Sequence, residues 1–140
     1  AIAEVRERVH LAALESGRSP DEITITAVSK TFPREVIDEA YRLGLTVFGE
    51  NRVQEAAAKF TEPLPSDLRL NLIGHLQTNK AKAAITVFDR IESVDRRSLV
   101  QALEKEASKL DTLVSVLLQV RKPWPWSMRS GPASTSGSTG

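Results

Sequence analysis

The sequence contains no cysteine, which removes disulfide cross-links, thiolate metal sites and thiol redox chemistry together. It also lacks an excess of charge of either sign, since nineteen Lys and Arg stand against eighteen Asp and Glu, a formal net of +1. Such balance gives no broad field for gathering nucleic acid or an anionic membrane surface, and neither is expected as a partner. No apolar run approaches the roughly eighteen residues needed to cross a bilayer. The opening AIAEVRERVHLAAL carries the charge pattern of a helix rather than a signal peptide, so a soluble, cytoplasmic protein is the expectation. Neither G-x-G-x-x-G nor G-x-x-x-x-G-K-[ST] follows the first apolar strand, and the main support for dinucleotide or nucleoside triphosphate binding is gone. His10 and His75 belong to no metal-ligand spacing, so no metal is expected.

What is present is an ordinary globular composition, 41% hydrophobic and 26% charged over 140 residues. That length suffices for one domain and falls short of the roughly 250 residues of a complete eight-fold barrel. Ile2, Val5, Val9 and Ala12 or Ala13 recur at helical spacing before a break at Ser16-Gly17 and Pro20. The β-branched run from Ile23 to Ser29 then reads as a strand, and Pro33 opens a helix through REVIDEAYRLG. The unit repeats: TVFGE into NRVQEAAAKF, LRLNLIG through HLQTNK into KAAITVF, and RIESV into a helix from about Asp95 to Leu110. A fifth apolar strand, Thr112 to Val120, is expected to be buried on both faces, as parallel sheets covered by helices require. This alternation predicts an α/β fold with a parallel sheet, either a doubly wound layer or a (β/α) barrel.

Period-two alternation puts Thr24, Thr26, Val28 and Lys30 on one face of the first strand. Strand carboxyl ends form the functional mouth of such folds, so Lys30 is expected to point into a site, partly desolvated and nucleophilic toward an aldehyde. The plainer reading is a lysine snorkelling at a strand end. At the end of the second strand lies Phe48-Gly49-Glu50-Asn51, where the glycine permits close backbone approach and Asn51 either caps the next helix, contacts a ligand, or does both. Beyond the third strand, His75 reads either as a proton carrier or as a satisfied structural group. Lys59, Lys82 and Lys105 read as surface lysines.

Taken together, AVSKTFP at 27–33, FGENRVQE at 48–55 and IGHLQTNK at 73–80 resemble the pyridoxal-phosphate homeostasis protein family over about Ala1 to Val120. The resemblance implies a partial TIM-type (β/α) barrel, about five parallel strands of an eight-stranded fold, similar to the N-terminal domain of alanine racemase. It implies pyridoxal 5'-phosphate as cofactor, held as a Schiff base on Lys30 of AVSK. Asn51 of the GEN motif would line the same pocket, with His75 as a further binding candidate. Asn71 and Leu70 stand where many members carry His and Trp. The implied role is non-catalytic, binding and delivering the cofactor in vitamin B6 homeostasis by a protein that is monomeric when intact.

After Val120 the pattern gives way to RKPWPWSMRSGPASTSGSTG, with Pro123, Pro125 and Pro132 and both tryptophans. The expectation is an N-terminal barrel portion over 1–120 and an irregular, disordered tail over 121–140, from a frameshifted, prematurely ended or edited chain. Five strands of an eight-stranded barrel would leave open edges and an apolar interior, through which the chain could associate. Two other readings stand beside the carrier: a racemase-like enzyme, which would need a second acid/base although Tyr41 is the one tyrosine, and an inert fragment.

Overall fold

In the structure, a computed structural model that describes residues 1–120, a single sheet carries β1 (Thr26–Val28), β2 (Val47–Glu50), β3 (Arg69–Leu72), β4 (Arg90–Val94) and β5 (Ser115–Leu118). The strands lie side by side in chain order and every pairing is parallel. Helices α1 (Ile2–Glu15), α2 (Arg34–Arg42), α3 (Val53–Lys59), α4 (Ala81–Val87) and α5 (Arg97–Lys109) alternate with them. The expected tail at 121–140 lies outside the described residues. Register favours a curving barrel wall over a flat layer, because Val47 aligns with Arg69 whereas Arg90 aligns with Asn71, farther along β3. A progressive stagger of this kind is what lets a tilted sheet close.

The two faces of the sheet differ. Phe48, Leu70, Leu72 and Ile91 are fully buried and form one core with Ile37 of α2, Ala56 of α3, Ala84 of α4 and Leu99 of α5. Each of the Phe, Leu and Ile side chains among them contributes about 1.5–3 kcal/mol by leaving water, so this outer layer holds the fold together. The inner face is not the apolar surface expected. Thr24, Thr26, Asn71, Arg90, Glu92 and Ser115 line an open bowl of about 530 Å³ there.

Two strands depart from expectation. β1 is shorter than Ile23 to Ser29, since its partner β2 begins only at Val47, after the turn at Gly44 (φ +91°), and Ile23 to Ile25 have no ladder to join. β5 is not buried: all four of its residues are exposed, with Leu118 at 70%. It pairs with β4 alone, and no described element flanks its far edge. Helix α5 also begins later and ends slightly sooner than expected.

Candidate functional site

Parallel order places every strand's carboxyl end on one rim, which gathers Lys30 after β1, Asn51 after β2, His75 after β3 and Asp95 after β4. Lys30 sits in a tight turn in which the amide of Phe32 donates to the carbonyl of Ser29 at 3.2 Å. Thr31 holds φ +68°, a left-handed conformation that a β-branched residue adopts at a cost of roughly 1–3 kcal/mol. Lys30 is exposed rather than partly desolvated, because the chain leaves the strand at Ser29 before the lysine is reached. Among the described residues it has no hydrogen-bond or ion-pair partner.

Immediately beneath this turn lies a buried polar cluster. Glu50 is wholly inaccessible, and its Oε1 accepts from Lys59 Nζ at 2.6 Å and from Ser29 Oγ at 2.8 Å. Lys59 also donates to the Ser29 carbonyl at 3.0 Å, while the Ser29 amide donates to Gly49 at 2.9 Å. Lys59 is therefore not a surface lysine; its side chain is only 14% exposed. Its stem reaches Glu50 beside Phe60, whose ring also lies 5.6 Å from the Arg34 guanidinium at the start of α2.

The loops after β2 and β3 touch at their backbones. A Cβ on Gly74 would stand 2.1 Å from the carbonyl oxygen of Asn51, so only glycine permits this approach. Asn51 does not cap α3: the residue before that helix is Arg52, and no side chain caps it. Asn71 lies lower, on the inner face of β3, where its amide donates to Glu92 Oε1 at 3.0 Å. His75 is exposed and lines a separate groove with Arg52, Gln54, Gln77 and Lys80. The expected residues thus share a rim in topology, but Asn71 faces the bowl and His75 a side groove. Tyr41 belongs to neither. Its hydroxyl donates to Asp67 at 2.5 Å, and Asp67 precedes β3, at the amino end of the sheet.

Beside His75, the hydrogen bond from Arg96 holds the Asp95 carboxyl below its usual range against the opposing effect of burial, with the charges of Arg96 and then His75 adding to the pull. Arg96 also donates to the Leu76 carbonyl at 2.6 Å, tying the loop after β4 to the loop after β3.

No protein-family model matches the chain. A curated relative from Aquifex aeolicus, named pyridoxal phosphate homeostasis protein, is 40% identical over 119 residues, 85% of this chain and 52% of the relative. One from Vibrio alginolyticus with the same name is 37% identical over 143 residues, 99% of this chain and 58% of the relative. Among solved structures, PipY of Synechococcus elongatus with PLP bound superposes at a TM-score of 0.68 and 45% identity, covering 84% of this chain and 54% of PipY. The chain is similar to proteins named pyridoxal phosphate homeostasis protein, and it spans about half the length of the curated relatives it matches.

Among the described residues, the rim group that suits an aldehyde-bearing cofactor is the open amine of Lys30, and the glycine-only contact of Gly74 with Asn51 joins the next two loops of the rim. Ser29, Glu50 and Lys59 were not singled out in the sequence as a group. A signal existed: Glu50 follows buried Phe48 at period two and so falls on the helix-facing side, where a lone carboxylate needs a partner.

Proposed function

We propose that this chain is the lysine-bearing part of a carrier that holds pyridoxal 5'-phosphate in Schiff-base linkage to Lys30 and serves cofactor homeostasis without turnover. The observation that carries the reading is the exposed amine of Lys30, without a partner among the described residues, on a strained turn at the carboxyl-end rim. PipY, 45% identical and solved with PLP bound, supports it, as do the names of the curated relatives. The chemistry that pyridoxal phosphate supplies is an aldehyde carbonyl open to attack by a primary amine. Asn51 on the adjoining loop and Asn71 on the inner face are the further residues assigned to the cofactor, with His75 assigned less directly because it lines its own groove.

A non-catalytic role agrees with the position of Tyr41, whose hydroxyl is engaged by Asp67 at the amino end and cannot serve as an acid or base at the Lys30 rim. We assign residues 1–120 to the N-terminal part of an alanine racemase-like barrel, and the protein to the cytoplasm. Among the described residues no helix is long and apolar enough to cross a membrane.

The test is borohydride reduction in the presence of pyridoxal phosphate, followed by peptide mapping. Label concentrated on the peptide carrying AVSK, and lost in Lys30→Ala, is the expected result. Label spread evenly over Lys82, Lys105 and the other exposed lysines would overturn the reading.

A further inference from the structure

We infer that Glu50 and Lys59 are positioning residues for Lys30: they clamp Ser29 so that the next two residues take the turn that presents the amine. This inference rests on the carrier reading above and deepens it.

Ser29 is the residue from which the Lys30 turn springs, and each of its polar groups is engaged. Its amide is tied to Gly49 of β2, its hydroxyl to Glu50, and its carbonyl receives both Lys59 Nζ and the Phe32 amide. With a longer contact from its hydroxyl to the Gly49 carbonyl at 3.3 Å, Ser29 makes five, and two of them come from a buried carboxylate and an ammonium brought in from the last turn of α3. A left-handed threonine persists only where its surroundings over-determine it. Here the far side of the turn is fixed too, because Arg34 stacks over Phe60, the residue after Lys59.

Core stability alone does not account for the pair. One carboxylate oxygen of Glu50, Oε2, is buried with no hydrogen-bond partner among the described residues, so the ion pair is incompletely satisfied where an apolar pair would have no such defect. Its distinctive consequence is local: it fixes the Ser29 carbonyl, and with it the Phe32 amide that closes the turn. Glu50 and Lys59 act on the cofactor amine through Ser29.

The experiment uses the full chain as Lys59→Arg and as the double variant E50Q/K59M, which removes both charges together. Without cofactor, amide hydrogen exchange at Phe32 and the carbon shifts of Thr31 read the turn directly. Exchange at Phe32 should rise at least tenfold in the double variant, which leaves no buried charge unpaired, with the amides of β3 and β4 unchanged. Lys59→Arg should restore most of the protection. In the same double variant, the share of pyridoxal phosphate trapped at Lys30 should fall at least fivefold relative to the other lysines. A folded double variant whose Phe32 amide and Thr31 shifts match the parent would overturn the clamp, and so would a loosened turn that leaves trapping at Lys30 unchanged. If the parent itself shows no preference for Lys30, the carrier reading fails and takes the cofactor role of the clamp with it, while unchanged or raised exchange at Phe32 still decides whether the clamp sets the turn.

Discussion

β2 and β5 are four-residue strands of one parallel sheet, VFGE and SVLL, and the more apolar of the two is the exposed one. β2 lies between β1 and β3 and has α2 and α3 packed over its outer face, so even its glutamate is sealed from water. β5 has β4 on one side and nothing described on the other, and Leu117 and Leu118 stand in solvent. Burial in this fold is therefore set by neighbours rather than by the strand's own residues. The same contrast explains where chemistry can reside: a carboxylate enclosed at β2 can fix a turn, whereas no side chain of β5 is enclosed enough to hold anything in place.

The comparison is broken most severely by stripping the β2 side of its buried cation. Lys59→Ala leaves the Glu50 carboxylate uncompensated in the interior, and the loss should be about 3–5 kcal/mol, the usual range when one partner of a buried pair is removed. Urea unfolding compared with the parent measures it. A change below about 1 kcal/mol would show that water reaches Glu50 and that β2 is less sealed than described.

Next in size is Gly74→Ala. The added methyl meets the Asn51 carbonyl, which is backbone and cannot swing aside, so the loops after β2 and β3 must separate. The expected cost is about 3 kcal/mol, the upper end for overpacking, read from the shift in melting temperature. An unchanged melting temperature would mean that the two loops do not approach as described. At the other end of the sheet, Leu118→Ala should cost less than about 0.5 kcal/mol, because that side chain is 70% exposed. A loss of 2 kcal/mol or so, as for a core leucine, would reveal that something covers β5 in solution.

The β-branched runs and the glycines and prolines between them made the strand order legible from sequence, as well as the placing of Lys30 and Asn51 just past strand ends. Those signals are local. What stayed hidden depends on partners distant in the chain. The apolar run 112–120 reads as a buried strand wherever it lies, and only the absence of a described neighbour beyond β5 makes it an exposed edge. Asn51 has the composition of a helix cap, yet the chain needs its carbonyl against Gly74 and starts α3 after Arg52. Lys59 looked like a surface lysine because helix ends are usually wet. Its burial follows from Glu50, nine positions earlier and on another element.

The smallest expected effect lies on the loop after β4, between the sealed and the open parts of the sheet. Asp95 accepts from Arg96 at 2.8 Å, and that hydrogen bond, with burial opposing and the charges of Arg96 and His75 assisting, keeps its carboxyl below the ordinary range. A carboxyl whose folded-state value is depressed favours folding in full above its unfolded value of about 3.9, and that contribution is lost as pH falls through the lower folded-state value. The sign is therefore fixed: acid weakens this contact and alkali does not. Asp95→Asn removes the titration while keeping the shape, so the parent should lose more stability than the variant as pH is lowered from about 5 to 2, with the two curves parallel above about 5. Melting temperatures across that window measure the difference, which should be small because neighbouring residues on one loop form the pair. If the variant lost as much stability in acid as the parent, the Arg96 guanidinium would be engaged mainly by the Leu76 carbonyl, and Asp95 would play no part in joining the loops after β3 and β4.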